Sequence, residues 1–199
     1  TKDGKKLSTR SGRIVLLEEV LDDAVKLAQK QIEEKNPALE NKAEVAEAVG
    51  VGAVVFHDLK NDRLNNFDFN LEEVVRFEGE TGPYVQYSHA RAMSILRKAG
   101  NPELDAAGKY RLDDSEAWET LRLLADFPAT VLKAVEEYEP SVIAKYGIHL
   151  AKAFNRYYAH SRILEDDDQK EARLALVKSV AEVLKESLRL LGVKAPDEM

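Results

Sequence analysis

Apolar residues recur every three or four positions along most of the chain, which is the spacing of one face of an α-helix. The pattern is clearest near the carboxyl end, where steps of three and four alternate through Leu174, Val177, Ala181, Leu184, Leu188 and Leu191. We expect a helix over 168–191 that packs into a bundle core. The repeat spans fewer than three heptads, which favours a bundle helix over a coiled-coil dimer.

Proline and glycine breaks divide the rest of the chain into further helical segments. We expect helices over 18–35, 42–59, 83–99, 115–125, 127–138 and 141–161, with a helical turn over 71–77. Ser115 is the expected cap of the helix over 115–125, and Pro128 lies where the chain restarts as the next helix.

Two short stretches interrupt the helical pattern. Residues 13–17 suit a short strand, and residues 66–70 alternate two phenylalanines with polar residues, as in a short strand or an extended link. The expected fold is therefore mainly α. A helical bundle over residues 79–199 is preceded by a short mixed α/β segment over residues 1–78.

The charge distribution changes the picture given by the net charge of −7. An acidic protein is a poor match for nucleic acid, because phosphate binding relies on lysine and arginine. However, residues 81–101 and 140–164 contain no acid and several cations, although the chain has 36 acidic residues. Either these stretches form local positive surfaces, or they are bundle helices whose neutralising acids lie elsewhere in sequence.

Composition excludes several classes of site. The chain has no cysteine, so disulfides and thiolate metal sites are excluded, and a reducing cytoplasm is compatible. The chain also has only four histidines, which argues against a zinc site, and we expect no metal. No apolar run approaches the roughly 20 residues that a membrane span needs. Because the sequence starts at Thr1 without methionine, we expect it to be a fragment of a longer protein.

The most distinctive run covers residues 79–91 and reads GETGPYVQYSHAR. Its two glycines permit a tight bend, and its proline suits a helix first turn. The steps of three and four between Tyr84, Tyr87 and Arg91 place all three on one helical stripe. Two aromatic rings beside a guanidinium can stack on unpaired bases and bind phosphate. Packing of the tyrosines in a core is the alternative.

Two other groups of cations are candidate binding sites. The amino-terminal loop carries Lys6, Ser8, Thr9 and Arg10, whose charges and hydroxyls suit a polyphosphate, although most such termini are solvated tails. A basic stripe on the 141–161 helix suits an RNA backbone or is an ordinary solvated face; it consists of Lys145, His149, Lys152, Arg156 and His160. The opposite side is apolar and is expected to pack in the core, through Ile143, Leu150, Phe154 and Tyr157.

These motifs resemble those of arginyl-tRNA synthetases. The run at 79–91 closely resembles the GETGPYVQY(S/T)HAR segment in which a bend leads into the first helix of the anticodon-binding domain. The amino-terminal loop is similar to the KMSKS loop of class I aminoacyl-tRNA synthetases, with its five positions filled by Lys6, Leu7, Ser8, Thr9 and Arg10. The second lysine of that motif, which helps stabilise the leaving pyrophosphate, is Thr9 here.

Two further segments carry the resemblance to the carboxyl end. Residues 151–158 resemble the L-A-x-A-F-N-x-F-Y helix, whose aromatic and asparagine positions look mainly architectural. Residues 190–199 resemble the terminal L-L-G-I-x-A-P-E-R-M, which implies that Met199 is the natural carboxyl terminus. Glu198 replaces the usual arginine, so no phosphate contact is carried over to that position.

The resemblance implies the carboxyl-terminal part of an arginyl-tRNA synthetase. Residues 1–78 would hold the KMSKS-like loop and a connecting segment, and residues 79–199 the all-α anticodon-binding domain. The full-length enzyme would join arginine to tRNA(Arg) with ATP and magnesium in the cytoplasm. This fragment lacks the nucleotide-binding domain with its HIGH motif, so it is expected to be inactive and without cofactor, and to bind tRNA but neither DNA nor membranes.

Residue by residue, the resemblance assigns Lys6, Ser8, Thr9 and Arg10 to the catalytic loop. It assigns tRNA binding to Tyr84, Tyr87, Arg91 and Met199, to which the basic stripe adds Lys152 and Arg156. Two alternatives stay open. One is a helical protein–protein interaction module, and the other is the anticodon-binding domain of another class I synthetase, such as the cysteinyl enzyme.

Overall fold

The computed structural model of the chain describes residues 15–105, 108 and 110–199. Within these residues every regular element is a helix. In chain order they are α1 (Leu17–Lys35), α2 (Lys42–Lys60), α3 (Leu71–Val74), α4 (Gly82–Lys98), α5 (Ser115–Glu137), α6 (Ser141–His160) and α7 (Lys170–Leu190). The mainly α prediction is confirmed.

Helices α1, α2 and α3 share a small apolar core. From α1, Ala24, Ala28 and Ile32 are buried against Val45 and Val49 of α2. The small alanines let the two helix backbones approach closely, as interlocking of helix surfaces requires. This unit occupies the amino-terminal side of the described chain.

A glycine explains how α2 can lie so near α1. A Cβ atom added at Gly50 would lie 2.6 Å from the backbone Cα of Val25, which is closer than real Cβ atoms come. A glycine inside a helix is less favourable than an alanine by roughly 1 kcal/mol. The close approach of α1 explains why position 50 of α2 is a glycine. The helix predicted over 42–59 is found in spite of its two glycines.

The main core lies among α2, α4, α5, α6 and α7, with α6 at its centre. Leu150, Phe154 and Tyr157 of α6 are fully buried, as their stripe predicted. The alternating apolar positions of α7 face the same core, and the predicted bundle packing is confirmed. Burial raises the pKa of the Tyr157 hydroxyl to about 12.

Helix α5 differs from the sequence prediction. It runs without a break through Pro128, where two separate helices were expected. Pro128 lies on an exposed face, where the carbonyl group left without its usual donor can turn toward water. The predicted cap is also wrong: Asp114 is the N-cap residue, and Ser115 is inside the helix and donates a hydrogen bond to Glu116 Oε2 at 2.8 Å.

No strand occurs in the part of the chain that the structure describes. Val15 and Leu16 have no regular structure and lead straight into α1, so the short strand predicted over 13–17 is not found at its described positions. Residues 66–70 form the extended link that was the alternative to a strand. A strand needs a neighbouring strand to satisfy its backbone, and these segments lie beside helices. Helix α3 is shorter than the turn expected over 71–77.

The carboxyl-terminal tail, residues 191–199, turns back across the bundle after α7. Gly192 adopts a φ of +71°, the left-handed conformation that ends many helices and that glycine adopts without strain. The Gln86 side-chain amide of α4 then donates hydrogen bonds to Lys194 O at 2.7 Å and to Ala48 O at 3.1 Å. The tail is thereby fixed across α4 and α2. None of the described helices is long and apolar enough to cross a membrane.

Candidate functional site

An open groove of about 380 Å³ lies between α4, α6 and the carboxyl-terminal tail. We call it the tail groove. Side chains with aromatic, cationic and thioether groups line it, among them Tyr87, Arg91, Arg97, Lys98, Tyr158 and Met199. Three of the sequence-predicted binding residues therefore lie around one concave surface.

The glycine-containing bend sets the start of α4 and hence the direction of its side chains. Thr81 is the N-cap: its Oγ1 accepts a hydrogen bond from Tyr84 N at 3.2 Å and donates one to Arg76 O at 2.6 Å. Pro83 occupies the first turn, where its missing N–H has no cost. The predicted bend and helix are confirmed, and Tyr87 and Arg91 follow on the face that lines the tail groove.

Arg91 lies between two tyrosine rings. Its guanidinium carbon is 4.8 Å from the ring centroid of Tyr87 and 5.1 Å from that of Tyr158. Both distances are within the range of a cation–π interaction. The tyrosines are 37% and 44% exposed, so each ring keeps an accessible surface beside a fixed positive charge.

Asn155 of α6 orients this arrangement from behind. Its side-chain oxygen accepts a short hydrogen bond from Arg91 Nη1. Its amide nitrogen donates to the Tyr84 hydroxyl at 3.0 Å and to Ser88 Oγ at 2.8 Å. One amide therefore ties α6 to three side chains of α4, and the Arg91 rotamer is held before any ligand arrives.

Tyr84 and Tyr87 occupy different environments, although the sequence places them on one stripe. The ring of Tyr84 is half-buried and packs against the main core, and its hydroxyl accepts the bond from Asn155. Tyr87 is exposed, and its ring centroid lies 6.2 Å from that of Phe77. Only Tyr87 of the two offers an open ring to the tail groove.

Met199 reaches the tail groove from the opposite wall. Its carbonyl oxygen accepts a hydrogen bond from Asn36 Nδ2 at 3.1 Å, across 163 positions of sequence. Arg97 of α4 forms an ion pair with Glu198 at 3.2 Å. The last residue of the chain is therefore held at a defined place beside Tyr87 and Tyr158.

Lys152 and Arg156 lie on α6 outside the tail groove. The basic stripe is exposed, as predicted, but acids from other elements reach it. Lys152 Nζ is 2.7 Å from Glu80 Oε1, and Arg156 Nη1 is 2.7 Å from Glu119 Oε2. The hydrogen bond from Lys152, followed by its charge, lowers the pKa of the Glu80 carboxyl. Such exposed pairs contribute little to stability and can exchange partners with a phosphate.

The other predicted residues and sites are placed as follows. Lys6, Leu7, Ser8, Thr9 and Arg10 of the KMSKS-like loop lie outside the described residues. Over the described ranges, no cluster of histidine, aspartate and glutamate side chains could hold a metal ion.

Sequence reasoning missed two groups of the site, Tyr158 and the orienting role of Asn155. Both belong to the α6 segment whose neighbours Phe154 and Tyr157 were assigned to the core. Their spacing of three places them together on a helix face between the buried and the basic stripes. That spacing was the available signal, but the sequence does not show that this face points at Arg91.

Known proteins are similar to this chain over its whole length. A family model described as "DALR anticodon binding domain" matches residues 85–199, and one described as "tRNA synthetases class I (R), catalytic domain" matches residues 1–71. The chain is 80% identical over 199 residues to the arginine–tRNA ligase of Ligilactobacillus salivarius, covering 100% of this chain and 35% of that protein. The corresponding protein of Lactiplantibacillus plantarum is 74% identical with the same coverage.

Solved structures give the same likeness. The arginyl-tRNA synthetase of Thermus thermophilus superposes with a TM-score of 0.87 at 38% identity, over 98% of this chain and 34% of that one. The enzyme of Plasmodium falciparum, at 20% identity and a TM-score of 0.81 over 94% of this chain and 34% of that one, shares the fold. The chain spans about a third of the length of these relatives.

Proposed function

We propose that this chain, which belongs to the DALR anticodon binding domain family, recognises the anticodon loop of tRNA(Arg) as the carboxyl-terminal part of an arginine–tRNA ligase. One observation carries the proposal: the Arg91 guanidinium is fixed between two exposed tyrosine rings in a groove closed by Met199. This arrangement suits unpaired nucleotides, which present flat bases and a charged backbone together.

Each group has a distinct role in this proposal. Tyr87 and Tyr158 stack on unpaired bases, and each stacked base contributes roughly 1–3 kcal/mol. Arg91 uses its remaining N–H groups on a phosphate or a base edge, since Asn155 takes only one of them. Tyr84 supports the site through its hydroxyl on Asn155, and Met199 gives an apolar contact at the opposite wall.

Lys152 and Arg156 extend the proposed surface along α6. They would exchange Glu80 and Glu119 for phosphates of the anticodon stem, which adds sequence-independent affinity. The net charge of −7 then repels RNA from most of the protein, and binding concentrates where exposed cations and aromatic rings lie together.

The parent enzyme is proposed to activate arginine with ATP and magnesium and to esterify it to tRNA(Arg). In that reaction the arginine carboxylate attacks the α-phosphate of ATP, pyrophosphate leaves, and the tRNA terminal hydroxyl then displaces AMP. Lys6, Ser8, Thr9 and Arg10 would approach the ATP phosphates. We place the parent in the cytoplasm, with which the absence of cysteine is compatible.

We also propose a domain boundary near residue 79, between a connecting segment and the anticodon-binding bundle. The two family matches fall on either side of it, at residues 1–71 and 85–199. The two apolar cores support it as well, although α2 contributes side chains to both.

Binding to anticodon stem-loops tests the proposal. The 199-residue chain should bind a stem-loop of tRNA(Arg) in preference to one of tRNA(Cys), with affinity that falls as salt rises. Preference for the cysteine stem-loop would indicate another class I synthetase. Absence of salt-dependent RNA binding would refute the proposal and favour a protein–protein interaction module.

A further inference from the structure

The carboxyl-terminal tail is anchored by a buried histidine that the proposed RNA contacts do not use. His89 of α4 is only 1% exposed. One ring nitrogen, Nδ1, lies 3.0 Å from the carbonyl oxygen of Ala181 on α7, and the other, Nε2, lies 3.0 Å from Asp197 Oδ1 in the tail. The ring therefore joins two helices of the bundle to the tail.

Both ring nitrogens of His89 face oxygens that accept hydrogen bonds. A carbonyl oxygen has no proton to give, and an ionised carboxylate has none either. A neutral ring carries one N–H, so it can donate either to Ala181 O or to Asp197 Oδ1 but not to both. Only a ring with two N–H groups donates to both partners, and it then forms a charge-assisted bond with the carboxylate.

The anchored tail determines where Met199 lies. Arg97 Nη1 donates to Asp197 O at 3.1 Å, next to the carboxylate that His89 holds. Asp197 is two residues from Met199, and His89 is two residues from Arg91 on α4. A single helix thus carries both the guanidinium of the tail groove and the group that fixes the opposite wall.

We propose that His89 is a positioning residue, whose Nε2 holds Asp197 and so keeps Met199 in place beside Tyr87 and Arg91. The inference rests on the proposed function for its effect on RNA binding. The anchoring itself is a property of the free protein and can be measured without RNA.

Other charged groups lie near the contact between His89 and Asp197. Lys185 Nζ of α7 is 3.9 Å from Asp197 Oδ1, and Arg97 of α4 pairs with Glu198. Lys178 and Glu182 of α7 line the cavity beside His89. Lys185 and Arg97 therefore place positive charge around the part of the tail that His89 holds.

Methyl NMR reports the tail position directly. The sequence contains two methionines, Met93 and Met199, so ¹³C-methyl labelling gives two signals, which a Met199→Leu variant assigns. In the wild-type chain we expect the Met199 methyl signal to be displaced by the neighbouring tyrosine rings from the position of a free methionine.

Two substitutions of Asp197 separate the contact from its charge. Asp197→Ala removes the partner of His89, so the Met199 signal should resemble that of free methionine. Asp197→Asn makes the same change in charge, but its amide can donate to Nε2 of a neutral ring. The Asn variant should therefore keep the displaced signal. Asp166→Asn, in an exposed pair with Lys170, is the remote control and should behave as the wild type.

RNA binding by the same variants completes the test. Asp197→Ala should bind the arginine stem-loop about three- to tenfold more weakly than Asp197→Asn, since the two differ in the tail contact and not in charge. A wild-type Met199 signal in Asp197→Ala, or equal RNA binding by the two variants, would overturn the proposal. If the wild-type chain binds no stem-loop, the proposed function fails, and the methyl signals alone decide whether His89 anchors the tail.

Discussion

Arg91→Ala distinguishes an RNA-binding guanidinium from one that only packs two helices together. In the folded protein the substitution removes two cation–π contacts, at 4.8 and 5.1 Å, and the hydrogen bond to Asn155. Each exposed cation–π contact contributes about 0.5–1 kcal/mol. Asn155 is only half-buried, so water can replace the lost donor at its side-chain oxygen. We therefore expect the free energy of unfolding to fall by about 1–2 kcal/mol.

The expected effect on RNA binding is larger than the effect on stability. An arginine that contacts a base edge or phosphate contributes about 1–3 kcal/mol, so affinity for the arginine stem-loop should fall by about tenfold or more. In a plot of the logarithm of the binding constant against the logarithm of the salt concentration, the slope should decrease in magnitude by about one. The loss should be smaller for a stem-loop whose middle anticodon base has been changed.

The assay measures urea unfolding and fluorescence anisotropy with a labelled stem-loop on the same samples. Arg122→Ala is the matched control, because Arg122 is an exposed arginine of α5 paired with Asp126 at 3.5 Å and lies outside the tail groove. Arg91→Lys keeps the charge without the flat, forked donor set, so its affinity for the stem-loop should lie between those of the wild type and Arg91→Ala. A folded Arg91→Ala protein with wild-type affinity and an unchanged salt slope would refute the site assignment, even within the correct family.

Three other predictions test the fold and the parent activity. Gly50→Ala should lower the free energy of unfolding by about 1–3 kcal/mol in a urea titration, because its methyl group meets the Val25 backbone at 2.6 Å. Gly79→Ala, where nothing lies within 4 Å but φ is +82°, should act only through backbone strain. Equal stability of Gly50→Ala and the wild type would contradict the close packing. The free energy of unfolding should fall as the pH rises from about 10 towards 12, since an unfolded tyrosine ionises near pH 10 and buried Tyr157 only near 12. Burial also raises the pKa of Tyr146, so Tyr157→Phe should reduce that fall without abolishing it. A fall as steep in Tyr157→Phe as in the wild type would argue against the burial effect. The 199-residue chain should show no arginine-dependent pyrophosphate exchange, and exchange that persists through purification would contradict its inactivity.

The helices could be predicted because local periodicity and breakers determine them. The spacing of three and four in α7 and the bend before α4 are properties of neighbouring residues. Pro128 misled the prediction because its cost depends on whether its face of α5 is exposed, and that is decided by packing against α6. The strand predicted over 13–17 is absent at its described positions for a related reason, since a strand requires a partner strand that the local pattern does not reveal.

The site could be predicted only in part, because its geometry depends on contacts between distant residues. The sequence gives Tyr87 and Arg91 as neighbours on one helix. It does not show that Tyr158 closes the other side of the guanidinium, or that Asn36 meets Met199 across 163 positions. It also treats Tyr84 and Tyr87 alike, whereas the bundle buries much of one ring and leaves the other open.

Helix α6 explains why the core and the proposed RNA surface are difficult to separate by mutation. Phe154 and Tyr157 are fully buried, and the residues that follow each of them, Asn155 and Tyr158, face Arg91. A rotation of α6 that relieves strain in the core therefore moves both groups that hold the guanidinium. Loss of RNA binding after a core substitution in α6 follows from this geometry without any direct contact. Only variants that retain stability, such as those at Arg91 and Asp197, can identify residues that bind or position.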